Sequence, residues 1–275
     1  MSFSSSLQTR VERFGPLVLG LDPSANLLQS SALKDSADGA LALAQRVLEA
    51  TRGELAMVKP QLAYFERFGG AGLLVLERIA KEFRSAGVLV LMDGKRGDID
   101  ATARAYAEAY LDPASPLAAD AVTVHAYLGL DALAPFFELA QLHHRGVFVV
   151  VRSSNPEASR LQAAQIDGMS VAALLSQEIG VWNRRLCAQE WLGPIGAVVG
   201  ATLDDVAATA AALPHSWLLA PGVGAQGATF DDVKRRFGTA VNRVLPSVSR
   251  ALFQSGATQA KLRETYLRMR EQSAN

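Results

Sequence analysis

The chain has 275 residues, 49% hydrophobic and 20% charged, enough for one large α/β domain or two small ones. Lys plus Arg number 27 and so do Asp plus Glu, with no long block of like charge, so neither nucleic acid nor an anionic membrane is expected as a partner. A single cysteine, Cys187, excludes an internal disulfide and a zinc cluster, and is expected to be small core filler in an apolar stretch. The opening Met1-Ser2-Phe3-Ser4 lacks a signal-peptide pattern, and no apolar run approaches the roughly 20 residues of a membrane helix, so a cytoplasmic location is expected.

Taken in order, apolar runs alternate with segments of helical spacing. The first run, 17–21, ends at Asp22 and precedes a helix at 39–50. The second, 55–58, ends at Lys59 and precedes a helix at 72–84. The third, 88–92, empties into Asp93-Gly94-Lys95-Arg96-Gly97-Asp98-Ile99, then a helix at 101–110. The fourth, 121–124, ends at His125, with a helix at 130–143. The fifth, 147–151, leads into Ser153-Ser154-Asn155-Pro156, then a helix at 170–190. The sixth, 195–199, is followed by a helix at 203–213. The seventh, 217–220, runs into Pro221-Gly222-Val223-Gly224-Ala225-Gln226-Gly227, then a helix at 230–237. The eighth, 244–248, ends in Ser249-Arg250, and 258–272 reads as an exposed final helix.

The strands are apolar at consecutive positions, which predicts burial of both faces and a parallel sheet covered by helices. Eight such units in about 250 residues is the size of a (β/α)8 TIM barrel. The competing open doubly wound sheet would carry a Gly-x-Gly-x-x-Gly turn after its first strand, where this chain has Gly20-Leu21-Asp22-Pro23-Ser24. With no linker or low-complexity stretch, residues 1–275 are expected to form one barrel domain with helical extensions at both ends.

Active sites of such barrels lie at the C-terminal strand ends. Here those ends carry Asp22, Lys59, Asp93, Lys95 and Asp98, charges that would converge on one mouth. Crowded opposite charges cost desolvation energy, which is hard to explain as a mere surface turn. The loop 221–227 offers backbone N–H groups to an anion, and Arg250 at the next strand end adds a bidentate partner, which together suggest a phosphate site.

These residues resemble orotidine 5′-phosphate decarboxylase in its larger bacterial subgroup. The likeness runs from Asp22 to Arg250 and rests on Asp-x-Lys-Arg-Gly-Asp-Ile at 93–99, on Lys59, on Ser-Asn-Pro at 154–156 and on the glycine-rich loop. The resemblance implies a homodimeric, cofactor-free and metal-free enzyme converting orotidine 5′-phosphate (OMP) to UMP in pyrimidine biosynthesis. It implies that Lys59, Asp93, Lys95 and Asp98 form an alternating charged array, with Lys95 the proton donor and Asp93 beside the departing carboxylate. Asp22 and Lys59 would contact ribose hydroxyls, Ser154 the pyrimidine, and Gln226 and Arg250 the phosphate, with Arg243 the alternative to Arg250. Asp98 and Thr102 would reach into the neighbouring subunit's site. His125 is expected to be a packing residue near the mouth.

Such chemistry leaves an electron pair in an sp² orbital with no conjugated sink, so preorganised charge must stabilise it. Flanking carboxylates would keep Lys95 cationic for proton donation. Three other readings fit parts of the pattern: a Mg²⁺-dependent keto-sugar-phosphate decarboxylase of the same superfamily, a Schiff-base aldolase using Lys59 or Lys95, and a catalytically silent phosphosugar-binding barrel.

Overall fold

Strands that are apolar on both faces must be covered inside and out, and here the sheet meets that demand by closing on itself. A computed structural model describes residues 1–187, 191–224 and 227–274. Among these, eight parallel strands form a closed barrel: β1 Val18–Leu21, β2 Met57–Pro60, β3 Leu89–Arg96, β4 Ala121–His125, β5 Gly146–Arg152, β6 Ile195–Val199, β7 Leu218–Pro221 and β8 Val244–Val248. Neighbours follow sequence order, and Val18 opposite Ser247 closes β1 onto β8. Helices connect successive strands, so the fold is a (β/α)8 barrel as expected.

The period-two alternation of strand side chains divides the core. Val18, Met57, Leu91, Ala121, Phe148, Val198, Leu219 and Leu245 pack together in the barrel interior. Their neighbours Leu19, Val58, Val90, Val122, Val147 and Val149 pack with helix residues such as Val47, Ile79 and Phe83 in a second, outer cluster. Each fully buried Leu or Phe contributes about 1.5–3 kcal/mol to folding.

The N-terminal helix Phe3–Phe14 plugs the interior at the N-terminal strand ends. Phe3 meets Phe148 edge-on with ring centroids 6.1 Å apart, and Gly146 at the start of β5 makes room, since a Cβ there would lie 2.4 Å from the Phe3 ring. After β5 the chain adds an exposed helix, Pro156–Gln162, and a two-stranded hairpin pairing Gln165–Ile166 with Met169–Ser170.

Two expectations are corrected. The final helix, Gln259–Ala274, is not simply exposed: Leu262, Tyr266 and Met269 form a buried stripe at helical spacing. Arg263 donates to Ala50 O at 3.1 Å and pairs with Glu54 at 3.0 Å, and the Tyr266 hydroxyl donates to Glu54 O. The charged residues between the apolar ones mask that stripe in the sequence. Cys187 is not core filler either; it lies half-buried at the C-terminal cap of helix Val171–Leu186, its thiol 3.5 Å from Gln141 Oε1. Among the described residues no helix is long and apolar enough to cross a membrane.

Candidate active site

One step beyond the interior apolar ring, the same alternation brings a polar ring to the C-terminal end of the barrel. Lys59 follows Met57 by two residues, Asp93 follows Leu91, Thr123 follows Ala121 and Ser247 follows Leu245, and all four are buried. Gly20, two residues after Val18, pairs in register with Lys59.

Asp93 is the hub. Its Oδ2 accepts from Lys59 Nζ at 2.7 Å and Gln61 Nε2 at 3.1 Å. Its Oδ1 accepts from Lys95 Nζ at 2.7 Å and Thr123 Oγ1 at 2.8 Å. Burial alone would raise the Asp93 carboxyl, but the two ammonium groups outweigh it and hold it well below the ordinary carboxylate range. Burial likewise works against the Lys59 charge, yet Asp93 and then Asp22 overcome it and raise the ammonium above its ordinary value. The two lysines differ in access: the Lys59 side chain is 8% exposed and that of Lys95 48%.

Lys95 sits where β3 loses regular pairing, with a register shift between Met92 and Arg96. Its φ is +44°, a left-handed conformation that costs a non-glycine residue about 1–2 kcal/mol. The Lys95 N–H donates to Thr123 Oγ1 at 3.0 Å, which helps hold that conformation. Arg96 braces the same stretch, donating to Glu66, to the Tyr110 hydroxyl at 3.3 Å and to Gly94 O at 3.4 Å. Gly97 lies against His125; a Cβ there would be 2.6 Å from the imidazole, so His125 packs the end of β4 onto this loop.

Asp98 stands apart from the hub. It is half-buried, its Oδ1 accepts from the Ile99 N–H at 2.9 Å, and among the described residues it joins no ion pair. Thr102 is exposed in the first turn of helix Asp100–Leu111. Neither residue reaches the Lys59–Asp93–Lys95 cluster of its own chain.

Asp22, just past β1, carries a buried Oδ1 without a hydrogen-bond partner among the described residues, as does Ser249 at Oγ. A Cβ on Gly20 would lie 2.8 Å from Ser249 Cβ and 3.4 Å from Asp22 Oδ1, so glycine allows the ends of β1 and β8 to approach here. Ser154 follows β5, its backbone against Gly200 at the end of β6. In the loop after β7, Gly222, Gly224 and Gly227 have φ of 109°, 80° and 96°. Gly224 packs so tightly on Ala251 that a Cβ would come within 2.6 Å of the Ala251 Cβ. That contact sets the glycine loop beside the turn that begins at the exposed Arg250. Gln226 lies outside the described residues. Arg243 points elsewhere: it is buried and donates to Leu213 O at 2.6 Å, Ser216 O at 2.9 Å and Ala210 O. With its guanidinium buried and engaged by three carbonyls, Arg243 is not available to a phosphate at the mouth, contrary to the alternative expected from the sequence.

Sequence reasoning assigned no role to Thr123, Gln61 or Arg96. Thr123 was detectable, because it stands two residues beyond an interior alanine, in the phase that makes Asp93 an inward residue. Gln61 and Arg96 gave no comparable signal, since their contacts depend on loop paths.

The profile of the family described as orotidine 5′-phosphate decarboxylase / HUMPS matches residues 15–265. An orotidine 5′-phosphate decarboxylase of Salinispora tropica is 47% identical over 263 residues, covering 95% of this chain and 93% of that protein. One from Streptomyces coelicolor is 44% identical over 262 residues, covering 95% and 93%. A Streptomyces avermitilis crystal structure assigned to the same activity superposes with a TM-score of 0.92 at 42% identity, covering 99% of this chain and 94% of that one.

Proposed function

The chain belongs to the orotidine 5′-phosphate decarboxylase / HUMPS family, and on that premise we propose that it decarboxylates OMP to UMP in pyrimidine biosynthesis, in the cytoplasm and without a cofactor. The observation that carries this reading is the buried Asp93 carboxylate between Lys59 and Lys95, each 2.7 Å away at the mouth of the barrel. The bond from the pyrimidine ring carbon to the carboxylate breaks, CO2 leaves, and the electron pair stays on the ring carbon. The Lys95 ammonium stabilises that charge and then donates its proton to the same carbon. Asp93 lies beside the departing carboxylate and keeps both lysines charged. Asp22, with its unpartnered buried oxygen, and Lys59 bind ribose hydroxyls, and Ser154 meets the pyrimidine. The glycine loop with Gln226 and Arg250 grips the phosphate, whose binding energy helps assemble the site.

The working unit is a homodimer in which Asp98 and Thr102 complete the partner's site. Supporting this, Asp98 makes no ion pair with its own Lys95 among the described residues, and Ile99, Tyr127 and Leu128 are exposed. The test follows OMP absorbance with EDTA present. The parent chain is expected to turn over fully, and K95A to lose at least about 1,000-fold in kcat, a loss of roughly 4 kcal/mol. Turnover that stops in EDTA, or a K95A protein within about tenfold of the parent, overturns the proposed mechanism.

A further inference from the structure

We infer that Thr123 is a positioning residue for this reaction, its hydroxyl fixing the Asp93 carboxylate and the Lys95 backbone together. The inference rests on the roles proposed above for Asp93 and Lys95.

A threonine hydroxyl offers one donor and two acceptor sites. The Lys95 N–H can only donate, so at 3.0 Å it occupies an acceptor site. The proton is therefore committed to Asp93 Oδ1, 2.8 Å away. One buried atom thus links the carboxylate to the left-handed residue whose side chain carries the proposed proton.

Thr123 is fully buried, so it acts on the reaction through these two groups and not by touching substrate. Its strand neighbours Val122 and Val124 are apolar, and valine would match threonine in shape and β-branching. Packing alone gives no reason for a hydroxyl here, because a buried polar group is unfavourable unless it is hydrogen-bonded. Removing it leaves the Lys95 N–H without this acceptor and Asp93 Oδ1 with Lys95 Nζ as its remaining side-chain donor. Asp93 is then freer to rotate, and the Lys95 ammonium loses its fixed distance from the reacting carbon.

The experiment compares T123V, T123S and K95A in OMP turnover and in UMP binding by calorimetry. T123V is expected to lower kcat by roughly 10- to 100-fold while the UMP Kd stays within about threefold. T123S keeps the hydroxyl and is expected to hold kcat within about threefold of the parent. Should T123V be insoluble, T123A removes the hydroxyl together with the methyl, and T123S, which lacks only the methyl, separates the two. A T123V kcat within about threefold of the parent overturns the inference. So does a T123S loss equal to that of T123V, which would show that keeping the hydroxyl does not preserve the site, or a loss of UMP affinity in step with kcat, which would indicate collapse of the site. K95A reports separately on the underlying reading: if it retains activity, the proposed proton donor is wrong whatever Thr123 does.

Discussion

Replacing Asp93 by Asn keeps the size of the hub side chain but removes its charge and one of its two acceptors. All four side chains that contact Asp93 donate to it. An Asn turns one accepting oxygen into an NH2 facing donors and leaves Lys59 and Lys95 without the negative charge between them. At N–O distances of 2.7 Å and an effective dielectric near 20, each ion pair has a gross attraction of about 6 kcal/mol. Desolvation offsets much of this, and breaking a buried pair by deleting one partner typically costs about 3–5 kcal/mol. For a chain of this size that corresponds to a melting temperature roughly 10 °C lower. The pH dependence has a definite sign. In the parent, Asp93 is held below its ordinary value of 3.8, so its stabilisation is present above about pH 4 and is lost as pH falls through the depressed value. Lys59 is raised above 10.5, so its stabilisation is present below that pH and is lost as pH rises through the raised value. In D93N, burial becomes the dominant influence on Lys59 and lowers its pKa; the unfolded chain then binds more protons, and stability rises with pH. Thermal melts at pH 7 and 9.5 should show a deficit that is large at pH 7 and smaller at 9.5. A D93N protein melting within about 2 °C of the parent at pH 7, or a deficit that widens toward pH 9.5, would refute the reasoning.

The two arginines near the last strand should separate by assay. R243M strands three carbonyl acceptors and should lower the melting temperature by roughly 5 °C or more. R250A should leave melting unchanged and reduce kcat/KM at least about tenfold; a change within about twofold would remove Arg250 from the phosphate site. Mixing inactive K95A and D98A proteins should restore about a quarter of parental activity, since about half of randomly exchanged dimers are mixed and each has one intact site. No recovery after verified subunit exchange would place Asp98 in its own chain's site.

The barrel was legible because Val18, Met57, Leu91 and their outward neighbours have to be apolar together. A doubly wound open sheet makes the same demand, and the count of eight units and the absence of a Gly-x-Gly-x-x-Gly turn after the first strand decide for the barrel. The run 88–92 became a strand continuing to Arg96, since the register shift lets β3 rejoin β4 beyond the charged residues. Lys59, Asp93 and Lys95 stood out because charges at the end of a buried strand are costly. Thr123 did not, because threonine is an ordinary strand residue and its significance lies in two hydrogen bonds made across strands. Arg243 and Arg250 look alike in sequence but flank opposite ends of β8: Arg243 is buried against carbonyls before the strand, and Arg250 is exposed after it. The final helix was misjudged because its buried stripe is narrow and flanked by arginines.

The apolar floor beneath the charged ring has a consequence for proton traffic. Met57, Leu91, Ala121, Phe148 and Leu245 fill the interior below Lys59 and Asp93, and Phe3 and Leu7 close the far end. Among the described residues, protons therefore meet an apolar floor along the barrel axis. Under the proposed mechanism, the proton that Lys95 gives up in each turnover is replaced from the mouth, where its side chain is half-exposed, while Lys59, sealed beneath, keeps its own. The two lysines flanking one carboxylate thus divide the work: one cycles protons with solvent after product leaves, and the other remains a fixed charge.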